Sequence, residues 1–128
     1  MDTDTAGVVH FSNYFRYCEK AEEELLNTLG LDFVEIEKRF KLWFPRVYAS
    51  CKYMWPIRFN QMVRVDIEDL EIGQRHVKYK FKIYNETENK LSAECEIVAV
   101  AASKELGKAV TLPKELVDLV RNLKRTNK

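Results

Sequence analysis

The sequence lacks the features that mark membrane proteins and nucleic-acid-binding proteins. Its longest uninterrupted apolar run, Ile97 to Ala102, is far too short to cross a bilayer, and its first residues do not resemble a signal peptide. The formal net charge is only +1, from 21 basic and 20 acidic residues, so the chain carries no strong field that would attract nucleic acid or an anionic surface. We therefore expect a cytoplasmic protein with no nucleic-acid partner and no membrane partner.

Cysteine is also scarce. The three cysteines, Cys18, Cys51 and Cys95, are widely separated and lie in no CxxC or Cys/His spacing. Zinc sites are built from closely spaced ligands of this kind, so the sequence excludes the common zinc-binding patterns. Because isolated cysteines in odd number are typical of free thiols in an intracellular protein, we expect three free thiols, buried or half-buried.

The first element with a clear pattern is a long amphipathic helix. The sequence predicts this helix from Asn13 to Thr28, with Ser12 as its N-cap and Gly30 as its C-terminal stop. Apolar residues recur every three or four positions and form one stripe, made of Tyr14, Cys18, Ala21, Leu25 and Leu29. The opposite side should be solvated, and it carries Lys20, Glu22, Glu23 and Glu24.

The rest of the chain predicts an antiparallel sheet and a terminal helix. Residues 31–41 fit either a short helix or an irregular connection. The alternation of one strand slips before Leu70, which predicts a β-bulge near Asp69. The last strand is apolar on both faces from Ile97, so it should lie in the middle of the sheet or at an interface. Pro113 should be the first residue of the last helix. The four strands are expected at 41–53, 62–72, 75–84 and 90–102.

These elements predict one α+β domain. A chain of 128 residues is long enough to bury a core of its own, so we expect a single domain over residues 1–128. One long helix followed by antiparallel strands predicts a sheet that wraps around the helix.

The segment before the helix carries a motif, Asp4-Thr-Ala-Gly7-Val-Val-His10-Phe-Ser-Asn13-Tyr14. It resembles the signature of the hotdog-fold acyl-CoA thioesterases of the 4-hydroxybenzoyl-CoA thioesterase type. In that family an aspartate precedes a glycine by three residues, two aliphatic residues follow, and an Asn-Tyr pair opens a long helix. The resemblance implies the hotdog fold, in which an antiparallel β-sheet wraps around a long central helix.

The resemblance also implies an assembly. Hotdog domains pair into dimers and often tetramers, and in this family the active sites lie at the dimer interface, so we expect a homodimer or a homotetramer. The start of the chain departs from the family pattern, because relatives carry a strand before the aspartate and here only Met1 to Thr3 precede Asp4. Either the first strand is missing or the sequence begins late. The loss of an edge strand would loosen the support of Asp4 and could abolish activity.

By resemblance, Asp4 is the expected catalytic residue. It would either attack the thioester carbonyl, giving a mixed anhydride, or act as the base for an attacking water. Backbone amides at the helix start, with that of Phe11 at the best-matched position, would bind the developing oxyanion, since free N–H groups and the positive end of the helix dipole lie there. In a purely structural interpretation Asp4 only caps a turn. Glu19 is the alternative carboxylate, because a neighbouring group of hotdog thioesterases uses a helix glutamate.

The expected substrate-binding positions are Gly7, Val9, His10 and Asn13. Gly7 would supply a special backbone conformation or a close approach to the acyl group. His10 lies one position earlier than the histidine of many relatives, so it is either a polar contact near the substrate or a packed histidine. The resemblance implies no metal and no redox cofactor.

Two sets of residues have alternative interpretations. The basic residues could contact CoA phosphates or belong to a solvated face; they are Arg46, Lys52, Arg58, Lys78, Lys80 and Lys82. The aromatic and apolar residues could line an acyl pocket, but core and interface packing is favoured for most of them; they are Trp43, Phe44, Tyr53, Met54 and Trp55.

Three functions fit the resemblance. The favoured one is hydrolysis of an acyl-CoA thioester to a free carboxylate and CoA. The alternatives are an acyl-thioester hydratase or dehydratase, whose Asp, Asn-Pro and His pattern is absent here, and a protein that binds acyl thioesters without turnover. The sequence leaves open the acyl group, the choice between CoA and acyl carrier protein, and the choice between anhydride and general base.

Overall fold

The structure is a computed structural model that describes residues 12–126. Three helices and six strands follow one another in these residues. They are α1 (Ser12–Thr28), α2 (Phe33–Phe40), β1 (Leu42–Trp43), β2 (Arg46–Tyr53), β3 (Val63–Ile72), β4 (His76–Asn85), β5 (Lys90–Val100), β6 (Ala102–Ser103) and α3 (Lys114–Thr126).

The C-terminal end of α1 confirms the role predicted for Gly30. The backbone of Gly30 is left-handed (φ 74°), a conformation that costs glycine nothing because it has no Cβ. Two hydrogen bonds then close the helix, from Leu31 N to Leu26 O (2.9 Å) and from Gly30 N to Asn27 O (3.0 Å). At the other end, Ser12 is the first helical residue instead of the residue before the helix, and the capping contact predicted for its side chain lies outside the described part of the structure.

The buried face of α1 includes two residues that the predicted stripe lacks, Glu22 and Leu26. Tyr14 and Cys18 are buried as predicted, but the most buried line continues at steps of four residues through Glu22 to Leu26. Glu22 is 3% exposed, so the prediction that it is solvated is wrong. The reason is positional, because residues four apart on a helix share one face whatever their polarity.

The connection after α1 is a helix. Asp32 caps α2 by accepting a hydrogen bond from Glu35 N at 2.7 Å. The single strand predicted over 41–53 is divided into β1 and β2, because residues 44 and 45 lie between them and Pro45 has no N–H to give to a sheet.

The main sheet has four antiparallel strands in the order β2-β5-β4-β3. β5 lies inside the sheet, as its apolar end predicted, and β6 pairs with β1 in a separate two-stranded sheet. The register between β3 and β4 shifts between Ile67 and Asp69, which confirms the predicted bulge.

The outer face of the sheet carries the alternating lysines. Lys78 and Lys80 lie 3.7 and 3.9 Å from Glu96, and Lys82 lies 2.7 Å from Glu68. These cross-strand ion pairs favour the solvated-face interpretation of the lysine row over the phosphate-binding one.

The inner face of the sheet packs against α1, and α2 and α3 cover one end of this core. The cluster between α1 and the sheet includes Tyr79, Phe81, Ile83, Cys95 and Ile97. A second cluster joins Leu26 of α1 to Ile36 of α2 and Leu116 of α3. Pro113 precedes α3 by one residue, and its carbonyl accepts from Val117 N at 3.1 Å.

Two of the three cysteines form a disulfide, Cys51–Cys95, so the prediction of three free thiols is wrong. The register of β2 on β5 places Cys51 directly opposite Cys95, with their Cα atoms 4.1 Å apart. The two residues are 44 positions apart in the sequence, so no local spacing could have indicated the pair. Cys18 is free and buried, as predicted.

Replacing Cys51 with alanine should lower the free energy of unfolding by about 2–4 kcal/mol, because the disulfide restricts the unfolded chain. Urea denaturation without reductant measures this loss. Reductant should destabilise the natural protein by a similar amount and leave the stability of Cys51→Ala unchanged. Three reactive thiols in the natural protein, denatured without reductant, would contradict the disulfide.

Candidate active site

Most of the predicted site precedes the described part of the structure. Asp4, Gly7, Val9, His10 and Phe11 all lie outside residues 12–126. The structure therefore describes the helix that follows the motif and the surroundings of its first turn. Of the predicted substrate-binding residues, only Asn13 is described.

Asn13 and Tyr14 are both buried in the first turn of α1. Asn13 is 5% exposed and Tyr14 is 3% exposed. The Tyr14 ring packs against Tyr17 and Tyr53, with centroid distances of 6.1 and 4.9 Å. The structural role predicted for Tyr14 is thus consistent with its packing between its own helix and the end of β2.

Burial raises the pKa of the Tyr14 hydroxyl, and the neighbouring phenols of Tyr17 and Tyr53 raise it further. Tyr14 therefore stays protonated near neutral pH and packs as a neutral aromatic side chain in the first turn of α1.

An exposed apolar surface extends from the end of β2 into the loop that joins β2 to β3. Its members are Tyr53, Met54, Trp55, Phe59 and Met62, with exposed fractions between 38% and 66%. Tyr53, Met54 and Trp55 do not pack in the core of the single chain, and neither does Trp43, which is 50% exposed. Interface packing and an acyl pocket are therefore the interpretations that remain for them. Because Tyr53 contacts Tyr14, this surface begins beside the first turn of α1.

A second group of polar residues is buried further along α1, and the sequence did not predict it. Arg46 on β2 donates both guanidinium Nη groups to the Glu22 carboxylate, with Nη1 to Oε2 at 3.2 Å. The buried Tyr79 lies near the same carboxylate, and Arg46 also lies over the Phe33 ring at 5.7 Å. Burial raises the pKa of Glu22, while Arg46 and Tyr79 lower it.

Within residues 12–126, neither Glu19 nor Cys18 takes part in a cluster that could carry acyl transfer. Glu19 is exposed on the outer face of α1. Burial raises the pKa of the Cys18 thiol to about 12, so this group is protonated and unreactive near neutral pH.

A small cavity lies between the second half of α1, the sheet and α3. Its volume is about 40 Å³, and nearly all of its lining is apolar, including Leu29, Val77, Val117 and Val120. A volume of this size holds only a few water molecules, so it is too small for an acyl group. It also lies at the opposite end of α1 from the motif.

The sequence of the chain matches a known protein family. A sequence profile of the thioesterase-like superfamily matches residues 1–120. The chain belongs to this superfamily. The match includes the whole motif from Asp4 to Tyr14 and all strands of the sheet.

Individual relatives of this thioesterase-like protein agree with that placement. It is 32% identical over 85 residues to a 1,4-dihydroxy-2-naphthoyl-CoA hydrolase from Thermosynechococcus vestitus, a match that covers 66% of this chain. The chain spans 58% of the length of that relative.

Solved structures share the fold. A 1,4-dihydroxy-2-naphthoyl-CoA thioesterase from Synechocystis is similar with a TM-score of 0.86 and 23% identity, over 96% of this chain and 90% of that one. The 4-hydroxybenzoyl-CoA thioesterase from Pseudomonas sp. strain CBS-3 is similar with a TM-score of 0.79 and 18% identity, over 92% of this chain and 90% of that one.

These comparisons confirm the predicted hotdog fold and the predicted class of enzyme, a thioester hydrolase. The subtype, the acyl group and the catalytic role of Asp4 stay predictions. In the described residues of this hotdog domain, no helix is long and apolar enough to cross a membrane.

Proposed function

We propose that this protein is an acyl-CoA thioesterase of the 4-hydroxybenzoyl-CoA thioesterase type, with Asp4 as its nucleophile or general base. The backbone amide of Phe11 would bind the oxyanion. Gly7, Val9, His10 and Asn13 would contact the substrate. The proposal includes a cytoplasmic location and a single catalytic domain over residues 1–128.

One observation carries the proposal: Ser12, Asn13 and Tyr14 of the motif lie in α1, so the first described turn of this helix directly follows Phe11 in the sequence. The first N–H groups of a helix have no partners within the helix and lie at the positive end of its dipole. A thioester carbonyl near this end would have its developing negative charge stabilised, and the loss of one such donor typically costs about 10²–10³ in rate.

Two reaction courses are open to Asp4. As a nucleophile, its carboxylate oxygen attacks the thioester carbon, the C–S bond breaks, and CoA leaves as a thiolate that takes a proton from water. Water then hydrolyses the mixed anhydride and restores the aspartate. As a general base, Asp4 takes a proton from water while the oxygen of that water attacks the same carbon, and the thiolate again leaves and is protonated.

We propose aromatic acyl groups as the first substrates to test. The relatives named above act on naphthoyl and hydroxybenzoyl thioesters, according to their names. The exposed apolar surface beside the first turn of α1 includes Tyr53 and Trp55, whose rings can stack on an aromatic acyl group.

The test is release of free thiol from a panel of aromatic, short aliphatic and long-chain acyl-CoA thioesters. Each acyl group is also offered on acyl carrier protein, which separates the two carriers. Turnover of an aromatic member supports the full proposal, and turnover of aliphatic members alone rejects its aromatic part. If no member is hydrolysed but acyl-CoA binds in isothermal titration calorimetry, the non-catalytic binding function replaces the proposal.

We also propose that the chain forms a homodimer through β2, either as the complete assembly or as the building unit of a homotetramer. β2 is an edge strand in the order β2-β5-β4-β3, and its Val47 and Tyr48 are 62% and 51% exposed. Edge strands with apolar side chains pair readily with a second chain.

Sedimentation velocity tests this assembly. The natural protein should sediment as a dimer or tetramer, and Val47→Lys should shift the population towards monomer, because it places two like charges at the proposed interface. Lys104→Ala, on a different surface, should leave the assembly unchanged. A natural protein that is monomeric at micromolar concentration would reject the proposed dimer.

A further inference from the structure

The loop that joins β2 to β3 contains a tight turn of four residues, from Arg58 to Gln61. The backbone N–H of Gln61 donates to the carbonyl of Arg58 at 3.2 Å, which closes the turn. Asn60 has a left-handed backbone (φ 68°), a conformation that asparagine adopts more readily than most residues. Phe59 occupies the second position of this turn and is 66% exposed. The turn therefore presents an aromatic ring to solvent.

Side-chain hydrogen bonds hold this turn in one conformation. Gln61 Oε1 accepts from Arg58 N at 2.7 Å and from Asn85 Nδ2 at 2.8 Å. Asn85 is 0% exposed at the end of β4, and its Oδ1 accepts from Glu88 N at 3.0 Å. A buried amide that is bonded at both ends cannot rotate without leaving polar groups unpaired. The turn is therefore fixed to the sheet before any ligand binds.

Phe59 differs from the other aromatic residues of the exposed apolar surface. The Tyr53 ring packs against the Tyr14 ring at a centroid distance of 4.9 Å. Lys90 Nζ lies over the Trp55 ring, 4.9 Å from its centroid. Phe59 has the largest exposed fraction of the aromatic residues in the described part of the chain. An exposed ring on a rigid turn loses little conformational entropy on binding, so it offers a preformed contact to a ligand.

The turn lies at the same end of the domain as the motif. Ile57 is 1% exposed and packs in the cluster that contains Tyr14, a residue of the first turn of α1. Phe59 follows Ile57 by two residues, so the Cα atoms of the two are within about 7 Å of each other. The exposed ring is therefore close to the helix end at which the thioester carbonyl is proposed to bind.

The charges around the turn are complementary to an acyl-CoA. Arg58 directly precedes Phe59, and Lys90 lies beside the same loop at the start of β5. Within residues 12–126, neither of these cations forms an ion pair with a carboxylate. CoA carries phosphate groups, which Lys and Arg side chains bind by charge-assisted hydrogen bonds. An exposed ring with cations on both sides thus matches a ligand that joins an apolar acyl group to an anionic carrier.

We propose that Phe59 is a specificity-determining residue, which stacks on the acyl group of aromatic CoA thioesters and favours them over aliphatic ones. Gln61 is its positioning residue, because it holds the turn. The inference rests on the proposed function, since the thioester carbonyl would bind at the adjacent end of α1. Aromatic pairs prefer offset or edge-to-face contacts with centroids about 4.5–7 Å apart, and an exposed ring is accessible to either geometry.

Binding of S-benzyl-CoA tests the role of the ring without turnover, because this thioether has no thioester to hydrolyse. Isothermal titration calorimetry of S-benzyl-CoA and of CoA itself separates the ring from its carrier. The natural protein should bind S-benzyl-CoA about tenfold more tightly than CoA. Phe59→Ala should weaken the binding of S-benzyl-CoA about fivefold and leave that of CoA within about twofold. Gln61→Leu keeps the ring but frees the turn, and should weaken S-benzyl-CoA binding about threefold.

Leu106→Ala is the matched control for the loss of an exposed apolar side chain. Leu106 is 64% exposed in the loop that follows β6, whereas Phe59 lies near the other end of β5. This variant should leave both affinities unchanged. Unchanged binding of S-benzyl-CoA in Phe59→Ala, or an equal weakening in Leu106→Ala, overturns the proposal. Unchanged binding in Gln61→Leu rejects the positioning role of Gln61.

Steady-state kinetics test the selectivity and separate this inference from the proposed function. Phe59→Ala should lower kcat/KM for benzoyl-CoA about fivefold and change that for hexanoyl-CoA less than about twofold. Equal losses for the two substrates overturn the inference while the proposed function stands. If neither thioester is hydrolysed but Phe59→Ala weakens S-benzyl-CoA binding as expected, the proposed function fails and the role of Phe59 in binding stands.

Sedimentation velocity tests the other occupant of this surface, a second copy of the chain. Phe59→Ala should keep the assembly state of the natural protein, because the ring is proposed to contact the acyl group. A shift towards monomer in Phe59→Ala would show that the ring packs against a second copy, and it would overturn the proposal.

Discussion

Replacing Asp4 with asparagine should lower kcat/KM for the best acyl-CoA substrate by about a hundredfold or more. Asparagine keeps the size of the side chain and its capacity for hydrogen bonds, but it can neither attack a thioester nor take a proton from water at neutral pH. A hundredfold loss corresponds to about 2.7 kcal/mol of transition-state stabilisation. Free-thiol release, measured over a range of substrate concentrations, gives this ratio directly.

The matched control is Asp2→Asn, which makes the same chemical change two residues earlier and outside the motif position. It should stay within about threefold of the natural protein, since a charge away from the reacting atoms contributes little at physiological salt. Near-natural activity in Asp4→Asn would reject Asp4 as the catalytic residue, and Glu19→Gln would then be the next variant to measure. If Asp4→Asn unfolds at the same temperature as the natural protein, unfolding is excluded as the cause of its loss of activity.

Replacing Arg46 with alanine should lower the free energy of unfolding by about 3 kcal/mol at neutral pH, because it leaves the carboxylate of Glu22 buried without its cation. The side chain of Glu22 is 4% exposed, whereas that of Arg46 is 28% exposed. The cost of removing charge from water therefore falls mainly on the Glu22 carboxylate. Urea denaturation monitored by tryptophan fluorescence measures the difference in stability.

The same variant should show a characteristic dependence on pH. The pKa of Glu22 is raised in the fold by burial, and Arg46 is the largest of the influences that lower it. The stabilising contribution of this group is therefore complete below the ordinary pKa of a glutamate and is lost as the pH rises through its raised value in the fold. Without Arg46 that pKa rises further, so the gap in stability between Arg46→Ala and the natural protein should widen from pH 4 to pH 8.

Two further variants separate charge burial from a general effect of removing an arginine. Arg39 forms an ion pair with Glu115, but these side chains are 50% and 52% exposed, so Arg39→Ala should cost less than about 1 kcal/mol. The double variant Arg46→Met with Glu22→Leu removes both buried charges, and it should recover most of the lost stability. A loss of 3 kcal/mol that is equal at pH 4 and pH 8 would show that packing, not charge, holds Arg46 in place.

The candidate site was predicted from the sequence only where a local motif carried it. Asp4, Gly7 and Asn13 were predicted because they keep fixed spacings next to a helix start, and the superfamily match over residues 1–120 includes them. The buried ion pair of Glu22 and Arg46 has no such signal. The two residues are 24 positions apart in the sequence, and only the folded chain brings them together.

The sequence by itself determined α1, its stop at Gly30, the alternating strands and the bulge near Asp69, because each depends on residues within a few positions of one another. The tertiary structure alone decided that Glu22 is buried against Arg46 and that Cys51 meets Cys95. Both outcomes follow from the register of β2 on β5 and from the rotation of α1 on the sheet. Such registers are set by the packing of many side chains at once, and no short stretch of sequence contains that information.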